Sequence, residues 1–280
     1  MRIIQKDDLG MEYTRKVDDI LSVDSRERML QEFIICPFIQ SICTNKDAVP
    51  VDIKVSGKCH HYELYCGKYG YTKDNILYTV IETPDLCVAN DWSWINDNKI
   101  RNDYTLTVEI KTVYSDNEYW ISPGYINNQI VIENSVEDIT EFINSNMLSK
   151  NSDGNYFYAQ DEKYQKSIQK QIGIHLRGIN KVIATDGVRW IFFYKNEDNS
   201  CCALPPIDLG KRLCKKASKK YKHVKIDWNF EDIIIKGKCL GKRLRNYELL
   251  KYVIYEFCDR KVSNMAELID IINKRIERFN

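Results

Sequence analysis

Two hydrophobic rhythms alternate along the chain. Leu30, Phe33 and Ile34 recur at helical spacing, and Pro37 predicts the end of that helix. Asp24 is placed to cap it, with Glu27 as the third residue of a capping box. From 51 to 89 the period shortens to two: Val51, Ile53 and Val55 alternate with polar neighbours, and 76–81 predicts a more buried strand. Residues 115–160, rich in Asn, Asp, Ser and Tyr, predict a variable excursion with one helix near 136–147. The helical period returns over 161–179 through Ile168, Ile172, Leu176 and Ile179. Two apolar runs, 182–185 and 188–194, flank Asp186-Gly187 and predict a hairpin whose turn takes positive φ angles. Two last helices are predicted near 246–258 and 264–278, with Leu249, Leu250, Val253 and Ile254 as one apolar stripe.

This order of helix, strands, helix and strands predicts an α/β core over 1–200, a central mixed sheet of about five strands flanked by helices. Residues 201–280 predict a basic, largely helical C-terminal extension. With 280 residues and 44% apolar content the chain can fill an ordinary core. Charge is nearly balanced, 41 basic residues against 40 acidic, so the total names no partner. No run approaches the ~20 apolar residues that span a bilayer, and the first residues lack a signal-peptide pattern, so a soluble cytoplasmic protein without a membrane partner is expected. The ten cysteines are scattered and read as reduced thiols. Cys59-His60-His61 with Cys66 offers zinc-type donors, but adjacent histidines on a strand face opposite ways, and ordinary strand residues are the stronger reading. No phosphate-binding Gly-x-x-x-x-Gly-Lys-Ser/Thr loop is present, which argues against an attached ATPase motor.

The chemistry concentrates in Thr-Leu-Thr-Val-Glu-Ile-Lys-Thr at 105–112. Strand side chains alternate, so Glu109 and Lys111 project together while Val108 and Ile110 face the other side. Asp85 opens a second apolar run, and two such strands side by side would bring two carboxylates and an ammonium into one pocket. Mg²⁺ prefers a few carboxylate oxygens plus water and a phosphate, so Asp85, Glu109 and the backbone carbonyl of Ile110 form a candidate metal set. Lys111 would orient the attacking water or stabilise the pentavalent transition state. The block 210–225 carries Lys211, Arg212, Lys215, Lys216, Lys219 and Lys220, and Lys236, Lys238, Lys242, Arg243 and Arg245 follow. Such a run is either a solvated face or a surface that tracks a phosphate backbone.

Pro84-Asp85 followed by Val108-Glu109-Ile110-Lys111-Thr112 resembles the signature of the PD-(D/E)xK nucleases, the restriction-endonuclease-like superfamily. Three further places resemble one branch, the nuclease domain at the N-terminus of type I restriction enzyme motor subunits. These are Glu27 ahead of Pro37, Gln171-Ile-Gly-Ile-His175 in place of a Gln-x-x-x-Tyr motif, and the hairpin that begins at Lys181. The resemblance covers roughly residues 20–195 and lacks the helicase that follows in that branch. It implies a restriction-endonuclease-like fold and Mg²⁺-dependent DNA cleavage, with Mn²⁺ as a substitute, leaving 5′-phosphate and 3′-hydroxyl ends. Asp85, Glu109 and Lys111 would be catalytic, with Glu27 and Gln171 in support, Glu82 as a substitute for Asp85, and His175 facing the site or the DNA backbone. DNA and other restriction or defence subunits are the implied partners, and double-strand cleavage favours a homodimer. Two alternatives stand beside it, a non-catalytic nucleic-acid-binding protein and an interaction subunit of a defence complex.

Overall fold

The computed structural model describes residues 9–23, 26–50, 71–73, 76–78, 84–90, 103–111, 139–140, 143, 148–150, 156–158, 168–213 and 225–277. The strand expected at 51–55, the Cys59–Cys66 cluster, Asp24, Glu82 and most of 115–160 lie outside these residues.

The N-terminal layer begins with helix α1 (Met11–Val23), followed by α2 (Glu27–Leu30), a π turn (Gln31–Ile35) and α3 (Cys36–Ile42). The expectation that Pro37 ends this helix is corrected, because the helix runs through it to Ile42. In a regular helix the proline ring would strike the carbonyl four residues back. The π turn widens the ladder just ahead of it, with the Cys36 N–H donating five residues back to the Gln31 carbonyl. Glu27 is the first residue of α2, and Arg26 at the N-cap supplies no side-chain cap, so no capping box forms among these residues.

The central sheet holds β1 (Asp47–Pro50), β2 (Leu86–Asn90), β3 (Asp103–Ile110), β4 (Lys181–Thr185), β5 (Arg189–Lys195), β6 (Cys201–Ala203) and β7 (Ile207–Asp208). Its order is β1-β2-β3-β4-β5-β6, with β7 also pairing β5. Every pairing is antiparallel except β3 with β4. Parallel neighbours need a crossover. Helix α4 (Ile168–Gly178) lies on that connection and packs on β4. Two small hairpins, Tyr71–Lys73 with Ile76–Tyr78 and Leu148–Lys150 with Tyr156–Tyr158, stand apart from the sheet.

Strand alternation divides the sheet into two different faces. Leu86, Val88, Leu106, Val108, Ile110, Ile183, Trp190 and Phe192 join one continuous core with α1, the π turn, α3 and the C-terminal helices. The residues between them, including Cys87, Thr107, Glu109, Val182 and Ala184, are just as buried on the opposite face. With both faces covered, β4 and β5 can be apolar almost throughout. The predicted 182–194 hairpin forms, but only Gly187 adopts positive φ (83°). Asp186 instead accepts the Val188 and Arg189 N–H groups at 3.0 and 2.9 Å, an Asx-type turn.

The segment expected to be a largely helical extension differs most from its expectation. Residues 201–208 complete the central sheet, so a boundary at 200 would cut through it. Two hairpins follow: β8 (Gly210–Leu213) with β9 (Lys225–Trp228), and β10 (Phe230–Ile235) with β11 (Lys238–Leu244). Among the described residues of this segment, only α5 (Tyr247–Asp259) and α6 (Met265–Glu277) are helical apart from one short turn, and α5 is integral to the core through Leu250, Val253, Ile254 and Phe257.

Lys181, at the start of β4, ties α5 to the sheet. Its buried Nζ donates to the carbonyls of Phe257 (2.7 Å), Cys258 (2.8 Å) and Arg260 (3.2 Å), which the helix end would leave without intrahelical partners. Burial pulls its pKa down to about 8, which still leaves it protonated at neutral pH. Lys181→Met keeps the aliphatic stem and removes all three bonds. It is expected to destabilise the fold by about 2–4 kcal/mol in urea denaturation; an unchanged midpoint would show that water replaces the ammonium without cost.

Candidate active site

The candidate site is built at the C-terminal end of β3. Val108 and Ile110 point into the main core at 0% exposure, which forces Glu109 to the opposite face, beneath α4. Lys111 follows as the strand ends, its backbone N–H held by the Thr185 carbonyl at 2.9 Å. β2 runs antiparallel to β3 with Leu86 opposite Val108. The residue before Leu86 is Asp85, and its Oδ2 accepts the Ile110 N–H at 2.6 Å. A third element fixes this junction from below: Gln31, buried in the π turn, donates from Nε2 to the Asp85 carbonyl at 2.7 Å.

Glu109 is 3% exposed, and each of its oxygens has a cationic or hydrogen-bonding neighbour. Lys111 Nζ donates to Oε1, and His175 Nε2 lies 3.1 Å from Oε2. Burial alone would push this carboxyl up. The Lys111 ammonium and His175 outweigh burial and hold its pKa down at about 2. An ionised carboxylate only accepts hydrogen bonds, so the His175 nitrogen facing it carries the proton. Lys111 is disfavoured as an ion by burial too, yet Glu109, Asp85 and Glu27 raise its pKa above the ordinary lysine range. It is therefore an ammonium, not a base, at neutral pH.

Asp85 is displaced the other way. Its pKa stands well above the aspartate range because of burial first and the neighbouring Glu109 charge second, and Lys111 and the Ile110 N–H only partly offset them. The arrangement thus holds one firmly ionised carboxylate beside one that resists ionisation, the pattern that crowded like charges produce. Each Glu109 oxygen keeps a second lone pair after its contact with Lys111 or His175. A divalent cation between Asp85 and Glu109 would relieve their repulsion, so the donor chemistry fits Mg²⁺. Among the described residues no three His, Cys, Asp or Glu side chains are grouped to cage a metal. A cation here would lean on two carboxylates, a backbone carbonyl and water, the kind of site Mg²⁺ commonly takes.

The structure brings together Asp85, Glu109, Ile110, Lys111 and, through its charge, Glu27, which is half-buried at the start of α2. His175 needs correction: it is fully buried, so it cannot touch a DNA backbone, and its partner is Glu109. Gln171 lies one turn earlier on α4 and is half-buried. Lys211 is exposed on β8, and Arg212 shares that strand, in a hairpin separate from the sheet that carries the carboxylates. Lys215, Lys216, Lys219 and Lys220 lie outside the described residues. Gln31 was missed by sequence reasoning, although a polar residue beside Leu30 and Ile34 was its signal. Tyr13 was missed as well; its hydroxyl donates to the Gly187 carbonyl at 2.6 Å and holds the β4–β5 turn at this end of the sheet.

No family model, curated protein or solved structure matches the chain.

The opposed displacements give a signed expectation. The folded protein holds the Asp85 proton more tightly than the unfolded chain does, so this group loses stability as pH rises from the ordinary aspartate value through its raised one. Glu109 contributes stability above its ordinary value of 4.5, and that is lost as pH falls toward 2. Asp85→Asn retains an oxygen for the Ile110 N–H and removes the repulsion. At pH 8 it is expected to stabilise the fold by about 1 kcal/mol in denaturant titration, and a clear loss of stability would show that the Asp85 charge is not in conflict with Glu109.

Proposed function

We propose that the chain is a Mg²⁺-dependent deoxyribonuclease, with Mn²⁺ able to substitute, acting in restriction or defence. One observation carries the reading: Glu109 and Lys111 stand together on one face at a strand end while Asp85 is fastened to the backbone between them, at the Ile110 N–H. The α/β architecture, with a mixed sheet flanked by helices, is compatible with the restriction-endonuclease-like core that the Asp85 and Glu109-Ile110-Lys111 motifs resemble.

In this reading Asp85, Glu109 and the Ile110 carbonyl hold the metal. When bound, Mg²⁺ supplies a more acidic water and screens charge on the scissile phosphate. The protein's own groups have separate tasks. Lys111, a fixed ammonium, donates toward a phosphoryl oxygen and stabilises negative charge as it accumulates there. His175 holds Glu109 in one rotamer from α4, so the carboxylate does not turn when a substrate arrives. Gln31 and the Ile110 N–H fix Asp85 from two directions. Glu27 adds negative charge at the rim, which favours cation capture and keeps Lys111 protonated.

The test is incubation of purified protein with supercoiled, linear and single-stranded DNA in Mg²⁺, Mn²⁺ or EDTA. Metal-dependent cleavage is expected, reduced roughly 10²-fold or more in Glu109→Ala and in Lys111→Ala with the far-UV spectrum retained. His175→Asn is expected to fall less, with a raised metal requirement, because it acts through Glu109. DNA binding with no cleavage under any metal would replace this reading with the non-catalytic binding protein.

A further inference from the structure

The hairpin β10–β11 is an arm with no core of its own. Not one residue from Phe230 to Arg243 is buried, although the segment contains Ile233-Ile234-Ile235. Ile234, Ile235 and Leu240 are 66%, 51% and 63% exposed, all near the tip. An isolated two-stranded hairpin is marginally stable in water. Here the strands are closed by a tight two-residue turn, Lys236-Gly237, with φ of 51° and 75°, and Ile235 pairs with Lys238 across it. A seven-residue strand reaches roughly 20 Å, so the tip stands well clear of the body. Charge along the arm is lopsided: Lys236, Lys238, Lys242, Arg243 and Arg245 against Glu231 and Asp232. Nearer the root Arg243 pairs with Glu231 at 2.5 Å and Lys242 stands opposite Asp232, while Lys236 and Lys238 flank the tip with no acid opposite them.

The root of the arm gives it a direction. β3 and β4 are parallel, so the Glu109–Lys111 end of β3 and the 186–188 turn lie at the same end of the sheet. From that turn the Val188 carbonyl accepts Leu209 N–H, the Leu209 carbonyl accepts Asn229 N–H, and the Asn229 carbonyl accepts Arg245 N–H, at 2.9, 3.0 and 2.8 Å. Asn229 and Arg245 are the two residues that bracket the arm. The arm therefore springs from the end of the sheet that carries the carboxylates.

We propose that the β10–β11 ribbon is a DNA-binding arm that lies in the major groove of a duplex and delivers a strand to the Asp85–Glu109–Lys111 site. The choice of DNA rests on the reading of that site given above. The fit is dimensional and electrostatic. A major groove about 12 Å wide admits a two-stranded ribbon. Lys236, Lys238 and Lys242 reach phosphates on its walls, and the apolar tip meets base edges such as thymine methyl groups. Covering Ile234, Ile235 and Leu240 also removes from water the apolar surface that the free ribbon leaves exposed.

Binding of a fluorescent 30-base-pair duplex in EDTA, followed by anisotropy over a range of salt, separates the arm from any cleavage. Three proteins are compared: the unmodified chain, a triple variant Lys236→Asn, Lys238→Gln and Lys242→Gln, and a control Lys261→Gln, Lys274→Gln and Arg275→Gln on exposed positions of the C-terminal helical region. Asn is chosen at 236 because it tolerates positive φ. The arm variant is expected to bind roughly tenfold or more weakly, with the log–log salt slope smaller by about 2–3, while the control binds like the unmodified chain. If the triple variant misfolds by circular dichroism, Lys238→Gln alone is read in the same way, with a slope change near one. Failure of the unmodified chain to bind duplex overturns the arm, as does equal loss in the control, unaltered binding by the arm variant, or ribbon-dependent adsorption to phosphatidylserine vesicles without duplex binding. Ribbon-dependent binding with no cleavage in Mg²⁺ leaves the arm standing and removes only the nuclease reading. Cleavage with ribbon-independent binding removes only the arm.

Discussion

An ionised carboxylate buried under a helix is the constraint around which this molecule is arranged. Glu109 stays charged at 3% exposure because Lys111 and His175 each meet one of its oxygens. Neither partner is local in the way a surface ion pair is. Lys111 reaches Glu109 only because β3 keeps both on one face to its last residue, and His175 arrives from α4, 66 positions along the chain. Loosening either element would leave a charge in a water-poor interior, where an unpaired ion costs several kcal/mol. The sheet end, the crossover helix and the strand pairing at Asp85 are therefore energetically one unit.

The sheet makes this unit possible through the single parallel pair. Antiparallel neighbours on both sides of β3 would place hairpin turns around it. With β4 parallel, the β3 terminus and the β4–β5 turn meet at one end, and α4 is brought across the face on which Glu109 lies. The opposite face is given mainly to apolar packing, from Tyr13 and Phe38 through Trp190 to Phe257, with the Lys181 ammonium as a buried polar tie at its α5 end. Chemistry and cohesion are thus assigned to alternate residues of the same strands, and Val108-Glu109-Ile110 is the clearest case.

Much of this was legible in the sequence because it depends on local parity. Alternation alone set Glu109 and Lys111 apart from Val108 and Ile110, and the helical stripes of α4, α5 and α6 were plain in their leucines and isoleucines. The proximity of Asp85 was legible as an expectation only, since a separation of 24 positions leaves register open and the β2–β3 ladder decides it. For His175 the sequence left the site and the DNA backbone both open, because helical spacing gives a residue's face but not what that face covers; burial against Glu109 decides for the site. Pro37 was misread because propensity rules assume a regular helix, whereas the widened ladder ahead of it accommodates the ring. Residues 201–208 were assigned outward because short strands that finish a sheet carry little periodicity, and their place is set by long-range pairing with β5 and packing in the core.

The π turn at Gln31–Ile35 has a consequence of angular phase. Each added residue rotates a helix by about 100°, so one extra residue in the turn decouples the heading of α2 from that of α3. On the C-terminal side Phe38 and Ile39 face the aromatic core; on the N-terminal side Gln31 and Glu27 face the carboxylates. A regular helix through these positions could satisfy one of the two orientations but not both. The insertion lets one continuous rod serve as structural pillar at one end and as part of the site's electrostatic rim at the other.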